Sequence, residues 1–221
     1  MSDRSAIARQ HKRTAPLELR RGPLFGVCVH TTGLGIFEHQ PDPIAWVLKY
    51  YTSQSKSGHY VIEPDGAINQ VAGEDQRACH AGLAEPPNAI EHYRSGKWVD
   101  LVPAAGLKLW RERWPTCQSP LDIVGGKSPN DLYVGVELVP SPDRTFTYVQ
   151  YFALASLLIE IRERRGVELS GRKLVGHEDL HPLARWNISG GWDPGALRAQ
   201  PLFSWQKLRG LIDQGTNGAK A

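Results

Sequence analysis

The run Tyr133-Val134-Gly135-Val136-Glu137-Leu138-Val139 constrains the fold more than any other part of this chain. It is short and apolar, with a single acid inside it, and reads as a buried strand. Phe25-Gly26-Val27-Cys28-Val29-His30 has the same character and runs out into the polar cluster Thr31-Thr32-Gly33. Leu174-Val175-Gly176 is a third, shorter strand that leads directly into His177. Between them stands a hairpin, His59–Glu63 and Ala67–Val71, turned by Pro64-Asp65-Gly66. Helical periodicity is clearest over Thr147–Arg165, where Tyr151, Leu154, Ala155, Leu158 and Ile161 share a face and Gly166 marks the end. Pro41 and Pro43 open a shorter helix with Ile44, Val47, Leu48 and Tyr51 on one side, and Pro201–Ile212 reads as a closing amphipathic helix. Strands and helices intermingle, so the expected class is α/β: a central mixed sheet flanked by helices, in a single domain.

Three segments break this pattern. Residues 1–22 are polar and basic and read as a flexible arm, and the tail 214–221 reads as disordered. Residues 84–131 are rich in Pro, Gly, Trp and charge, with some helix around Leu107–Arg113, and read as a long insertion in a domain spanning 23–213. Trp98, Trp110 and Trp114 within it suit either a platform for sugar or peptide or a small core that packs the segment down.

Composition narrows the function classes. A net charge of +3 in 221 residues is too weak for nucleic acid, although its sign suits an acidic polymer such as a cell wall. No window approaches the ~18 apolar residues of a membrane span. The basic N-terminus lacks the apolar stretch of a secretory signal, so synthesis in the cytoplasm is expected. Three cysteines, Cys28, Cys79 and Cys117, form no metal-knuckle spacing and are expected to be buried, reduced thiols.

Among eight histidines, His30 and His177 stand out because each follows a strand, where a sheet delivers side chains to a site. Beyond His177 lies Ser189-Gly190-Gly191-Trp192-Asp193-Pro194-Gly195, which holds Asp193 between a Trp and a Pro. Two imidazoles and a carboxylate with an open fourth position suit catalytic zinc. Spacing alone leaves this triad level with three scattered structural residues.

Several motifs in order go further. Val27–Thr32, Gly58–Gln70, Cys79-His80-Ala81-Gly82, Val134–Leu138, and Val175–Asp179 with Trp192–Gly195 together resemble the amidase-2 family of N-acetylmuramoyl-L-alanine amidases, which includes peptidoglycan recognition proteins and phage lysins. The resemblance runs from about Phe25 to about Ile212, interrupted by the insertion. It implies a hydrolase for the amide between the lactyl group of N-acetylmuramic acid and L-alanine. It implies that His30, His177 and Asp193 bind Zn2+, that Glu137 is the general base, and that His80 contacts substrate. The alternative reading of Glu137 is a sheet-edge carboxylate paired with arginine, and that of His80 a structural histidine. The resemblance further implies a monomer acting on peptidoglycan or muropeptides. As a phage lysin or delivered wall hydrolase it would work in the periplasm or cell wall after release. A cytoplasmic recycling amidase and a non-catalytic peptidoglycan-binding module are the alternatives.

Two positions depart from the family. Gly191 stands where many members carry lysine, and Gly58 where one branch carries tyrosine. Another group must then face the oxyanion, with Arg185, Lys127 and His181 as candidates. His181 and Glu178 are also conceivable rival ligands, and His59 is expected to face the sheet or the hairpin.

Overall fold

The computed structural model describes residues 4–11, 17–32, 40–83, 87–141, 145–187, 193–196 and 202–218. Among them, strands β1 (Arg9–Gln10), β2 (Gly26–Thr31), β3 (Tyr60–Ile62), β4 (Ile68–Gln70), β5 (Tyr133–Leu138) and β6 (Leu174–Gly176) form one sheet in the order β1-β4-β3-β5-β2-β6. Only the β3–β4 hairpin is antiparallel; the other pairs are parallel. The expected mixed α/β sheet is what the chain forms, and β2 and β5, its central strands, are buried along their whole length.

One face of the sheet is mainly apolar. Val27, Val29, Tyr60, Ile62, Val134, Val136 and Leu138 meet helix α7 (Tyr148–Arg165) and the later helix Trp205–Gly218. Thr147 caps α7 in a reciprocal pair with Gln150, and Gly166 closes it, so the sequence limits of this helix hold to within a residue.

The opposite face changes character along its strands. At the start of β5 and β2, Tyr133 and Cys28 join a core built by α2 (Ala89–Ser95), α3 (Trp98–Leu101), α4 (Ala104–Arg113), α5 (Pro120–Val124), α8 (His177–Leu180) and α9 (Pro182–Asn187). Towards β3, Val61 joins a smaller core with Val47 and Tyr51 of α1 (Pro43–Gln54), as well as Val71 and Val139. At the ends of the central strands the same face turns polar, with His30 and Glu137 side by side.

Several expectations change in the structure. The described residues of the 84–131 segment supply α2 to α5, which with α6 (Pro129–Leu132) pack as a layer on this face of the sheet. Their tryptophans are spent on packing, with Trp98, Trp110 and Trp114 all buried, which removes the platform reading. The described part of the N-terminal segment is docked, because an edge strand offers main-chain groups that a polar segment can satisfy. Arg9–Gln10 pair with β4, Ser5 N–H donates to Gln70 Oε1 at 2.9 Å, and Arg20 donates to the carbonyls of Glu74 and Tyr133. The tail from Gln214 remains helical to Gly218 because α10 (Trp205–Gly218), seated on α7, carries it on. Cys28 is buried as expected, whereas Cys79 is exposed; no disulfide joins the three.

Candidate metal centre

Strand register sets the floor of the site. His30 of β2 and Glu137 of β5 are direct parallel neighbours, and Val61 of β3 lies on the far side of Glu137. Next to β2, β6 ends at Gly176, so His177 begins α8 beside the end of β2. Asp193 returns from a distant part of the chain and is stitched to both. Its carbonyl accepts from Glu178 N–H at 2.8 Å, and its Oδ1 accepts from Thr31 N–H at 2.9 Å.

The three side chains then converge. Asp193 Oδ1 lies 3.4 Å from His30 Nδ1, and Asp193 Oδ2 lies 2.9 Å from His177 Nδ1. The two imidazole rings meet edge to face with centroids 4.7 Å apart. One donor atom from each of His30, His177 and Asp193 lies within 4.8 Å of the others, and all three residues are buried. Two imidazole nitrogens and a carboxylate are the donor types of a borderline-soft divalent ion such as zinc, so the residues present fit that metal.

Burial and neighbouring charges set the protonation of these groups. Burial opposes ionisation of Asp193, but His30, Arg185 and His177 hold its carboxyl well below the usual carboxylate range. Burial and Arg185 keep His177 well below the ordinary histidine value, leaving a neutral ring. Burial also works against charge on His30, yet the acidic groups around it, Cys28, Asp193 and Glu137, hold it well above. Burial pushes the Glu137 carboxyl up to about 7 against the pull of His30, Arg185 and Lys56, while Asp193 adds to the rise.

The other candidate residues fall in distinct positions. His80 lies behind His30, its Nδ1 2.9 Å from His30 Nε2 and its Nε2 3.1 Å from the Tyr133 carbonyl. His59 faces the hairpin and β5: its Nδ1 accepts from Gly135 N–H, and its Nε2 lies 3.0 Å from the Gln76 carbonyl. His181 Nδ1 meets the Tyr93 hydroxyl at 2.7 Å, and Glu178 Oε1 accepts from Ala196 N–H, so both engage groups outside the triad. Of the three cations or donors considered for the oxyanion, Arg185 stands at the triad, its Nε 3.3 Å from Asp193 Oδ2. Lys127 is exposed in the turn after α5. Gly191 lies outside the described residues.

Two features escaped the sequence. A Cβ on Gly58 would lie 3.0 Å from the Tyr51 hydroxyl and 3.1 Å from Glu137 Cγ. Position 58 therefore leaves a gap where a phenol from α1 comes up to the Glu137 side chain. The helical face that carries Tyr51 was legible, but its meeting with the hairpin was not. The second is Asp179, fully buried, which ties the His177 segment down. It accepts from Gly176 N–H at 2.7 Å, Trp114 Nε1–H at 2.8 Å and Arg113 Nε, while Trp110 Nε1–H donates to its carbonyl. Buried indoles need acceptors, so three tryptophans in one segment were the available signal.

The chain is similar in sequence and fold to known proteins. A family model described as N-acetylmuramoyl-L-alanine amidase matches residues 20–196. The 1,6-anhydro-N-acetylmuramyl-L-alanine amidase AmpD of Haemophilus influenzae is 24% identical over 151 residues, 68% of this chain and 55% of the relative. The chain thus spans about half the length of the curated relative it matches. A crystal structure of an AmpD derivative superposes with a TM-score of 0.56 at 20% identity, covering 96% of this chain and 98% of the other. The amidase LysC from Clostridium intestinale superposes with a TM-score of 0.51 at 13% identity, covering 94% and 96%. Likeness at these identities establishes the fold.

Proposed function

Because the chain belongs to the N-acetylmuramoyl-L-alanine amidase family, we propose that it is a zinc-dependent hydrolase of the amide joining N-acetylmuramic acid to L-alanine. The observation that carries this reading is the convergence of His30, His177 and Asp193 within 4.8 Å, beside the buried Glu137. His30, His177 and Asp193 would hold the ion. Zinc, when bound, supplies a Lewis acid that polarises an amide carbonyl and acidifies water.

The rest is done by the chain's own groups. Glu137 takes the proton of the attacking water and delivers it to the amide nitrogen as the carbon–nitrogen bond breaks, leaving a carboxylic acid and a free amine. A carboxyl held near about 7 suits both halves of that task, since it gains and loses a proton readily at neutral pH. Arg185 keeps Asp193 ionised and brings positive charge to the floor. Arg185 and the Tyr51 hydroxyl are the groups we assign to the oxyanion contact that Gly191 and Gly58 do not make. A non-catalytic binding module would have no use for Glu137 in a position that costs desolvation, which favours the enzyme.

The setting we propose is a phage or delivered wall hydrolase that meets peptidoglycan outside the cytoplasm; no helix among the described residues is long and apolar enough to cross a membrane. The name of the Haemophilus influenzae relative supports a second reading, an amidase for soluble 1,6-anhydro-muropeptides. Zinc content and freed N-terminal L-alanine, measured on intact sacculi and on 1,6-anhydro-muropeptides, separate these. Cleavage of sacculi supports the first setting, and cleavage confined to the soluble substrate supports the second. A protein that takes up no zinc and cleaves neither overturns the proposal.

A further inference from the structure

Behind the metal centre runs a line of hydrogen bonds whose direction can be worked out. It begins at the Tyr133 carbonyl in β5, passes through both nitrogens of His80, and reaches His30 Nε2. A main-chain carbonyl only accepts, so His80 Nε2 carries the hydrogen and donates to it at 3.1 Å. In a neutral ring Nδ1 is then the acceptor, so the 2.9 Å contact is a donation from His30 Nε2–H. When the His30 ring gives up one proton, the bond to His80 keeps the hydrogen on Nε2 and leaves the lone pair on Nδ1, the atom 3.4 Å from Asp193 Oδ1.

The fold goes to some length to hold His80 there. Its main-chain N–H and that of Ala81 both donate to Asn130 Oδ1, at 3.1 and 2.7 Å, fastening the segment beside the entry to β5. Its ring lies on Gly135, where a Cβ would come within 2.6 Å of His80 Cγ. That glycine is opposite Cys28 in the sheet, two residues before the His30–Glu137 pair. With both nitrogens engaged by protein groups, the ring has no nitrogen left to offer a substrate.

We infer that His80 is a positioning residue: by accepting from His30 Nε2–H it fixes the tautomer and ring orientation in which His30 Nδ1 faces Asp193 and His177. This rests on the zinc reading given above and moves His80 from substrate contact to the layer behind the ligand. Partners of this kind set ligand basicity and orientation, and their loss weakens metal binding by ~10–100-fold.

Asparagine and glutamine divide the two bonds of His80. Asparagine Oδ1 stands where Nδ1 stood and still accepts from His30, whereas glutamine Nε2 stands where Nε2 stood and keeps only the bond to Tyr133. The experiment measures zinc affinity by chelator competition, and the absorption spectrum of the cobalt-substituted protein, for the full chain and for His80→Asn, His80→Gln and His80→Leu. Thermal melts of the zinc-free proteins check folding. We expect His80→Asn to bind zinc within a few-fold of the parent with an unchanged cobalt spectrum. His80→Gln and His80→Leu should weaken zinc ~10–100-fold and alter the spectrum. Equal affinity in all four proteins, or equal loss in all three variants, overturns the proposal. Histidine nitrogen NMR of the zinc-free parent, taken at a pH high enough for the His30 ring to be neutral, tests the relay without any substitution: hydrogen on Nε2 supports it and hydrogen on Nδ1 overturns it. A parent that binds no zinc, yet shows the Nε2–H form of His30, would sink the ligand assignment and leave the relay standing.

Discussion

At the scale of single residues, Glu137 carries the sharpest predictions. Replacing it with glutamine keeps the shape and removes the base, so kcat should fall by ~10²–10⁴ while zinc stays bound. Turnover and metal content measured on the same sample check this. The pH dependence follows from the raised carboxyl. The base must be ionised to act, so kcat/KM should fall as the carboxyl takes up its proton; the charge of a bound divalent ion favours the carboxylate and places that fall below about 7. Stability runs the other way. A carboxyl whose folded value lies above its unfolded one penalises the fold once ionised; the penalty is absent below the unfolded value and complete above about 7. Zinc-free Glu137→Gln should therefore melt at a higher temperature than the parent at pH 8 and match it near pH 4. His30 and His177 could be singled out as residues after strands and Glu137 as the acid inside an apolar run, whereas their grouping with Asp193 rested on resemblance to the family. Tyr51 could not be singled out, since its nearness to Glu137 depends on how α1 settles against a hairpin, which no local pattern encodes.

At the scale of elements, regular segments were legible and irregular ones were not. The limits of α7 came from periodicity and caps, and the β3–β4 hairpin came from its Pro-Asp-Gly turn. Within residues 84–131 the helix expected around Leu107–Arg113 forms as α4, whereas the shorter helices beside it escaped pattern reading because tertiary contacts rather than a periodic face hold them. Asp179 joins that layer to the second histidine, with no side-chain exposure and an ion pair to Arg113 at 2.9 Å. Asp179→Ala strands Arg113 and the Trp114 indole donor, and frees the Gly176 N–H in the turn before His177. It should cost roughly 3–5 kcal/mol and lower zinc affinity as well, read by denaturant unfolding and chelator competition. The N-terminal segment was misjudged for a related reason: polar residues look solvated in sequence, but Ser5 is buried against Gln70 and Glu160. Removing residues 1–11 should lower the melting temperature and leave the edge of β4 open to self-association, seen by light scattering.

At the scale of the whole molecule, a metal that binds only the folded chain is a stabiliser. Free zinc at 100 times its dissociation constant should add about 2.7 kcal/mol. For a chain of this length that raises the melting temperature by roughly 5–10 °C. His177→Ala should abolish the zinc-dependent shift, and calorimetry with and without chelator tests it. The sheet face that carries the site also divides its labour. Cys28, Tyr133 and Val175 anchor one apolar core, Val61 anchors another, and the polar floor lies between them. The two cores share strands but not side-chain packing, so substitutions in one should combine additively with those in the other. A protein built this way can be retuned one flank at a time, by drift or by design, while the polar strip between them stays fixed.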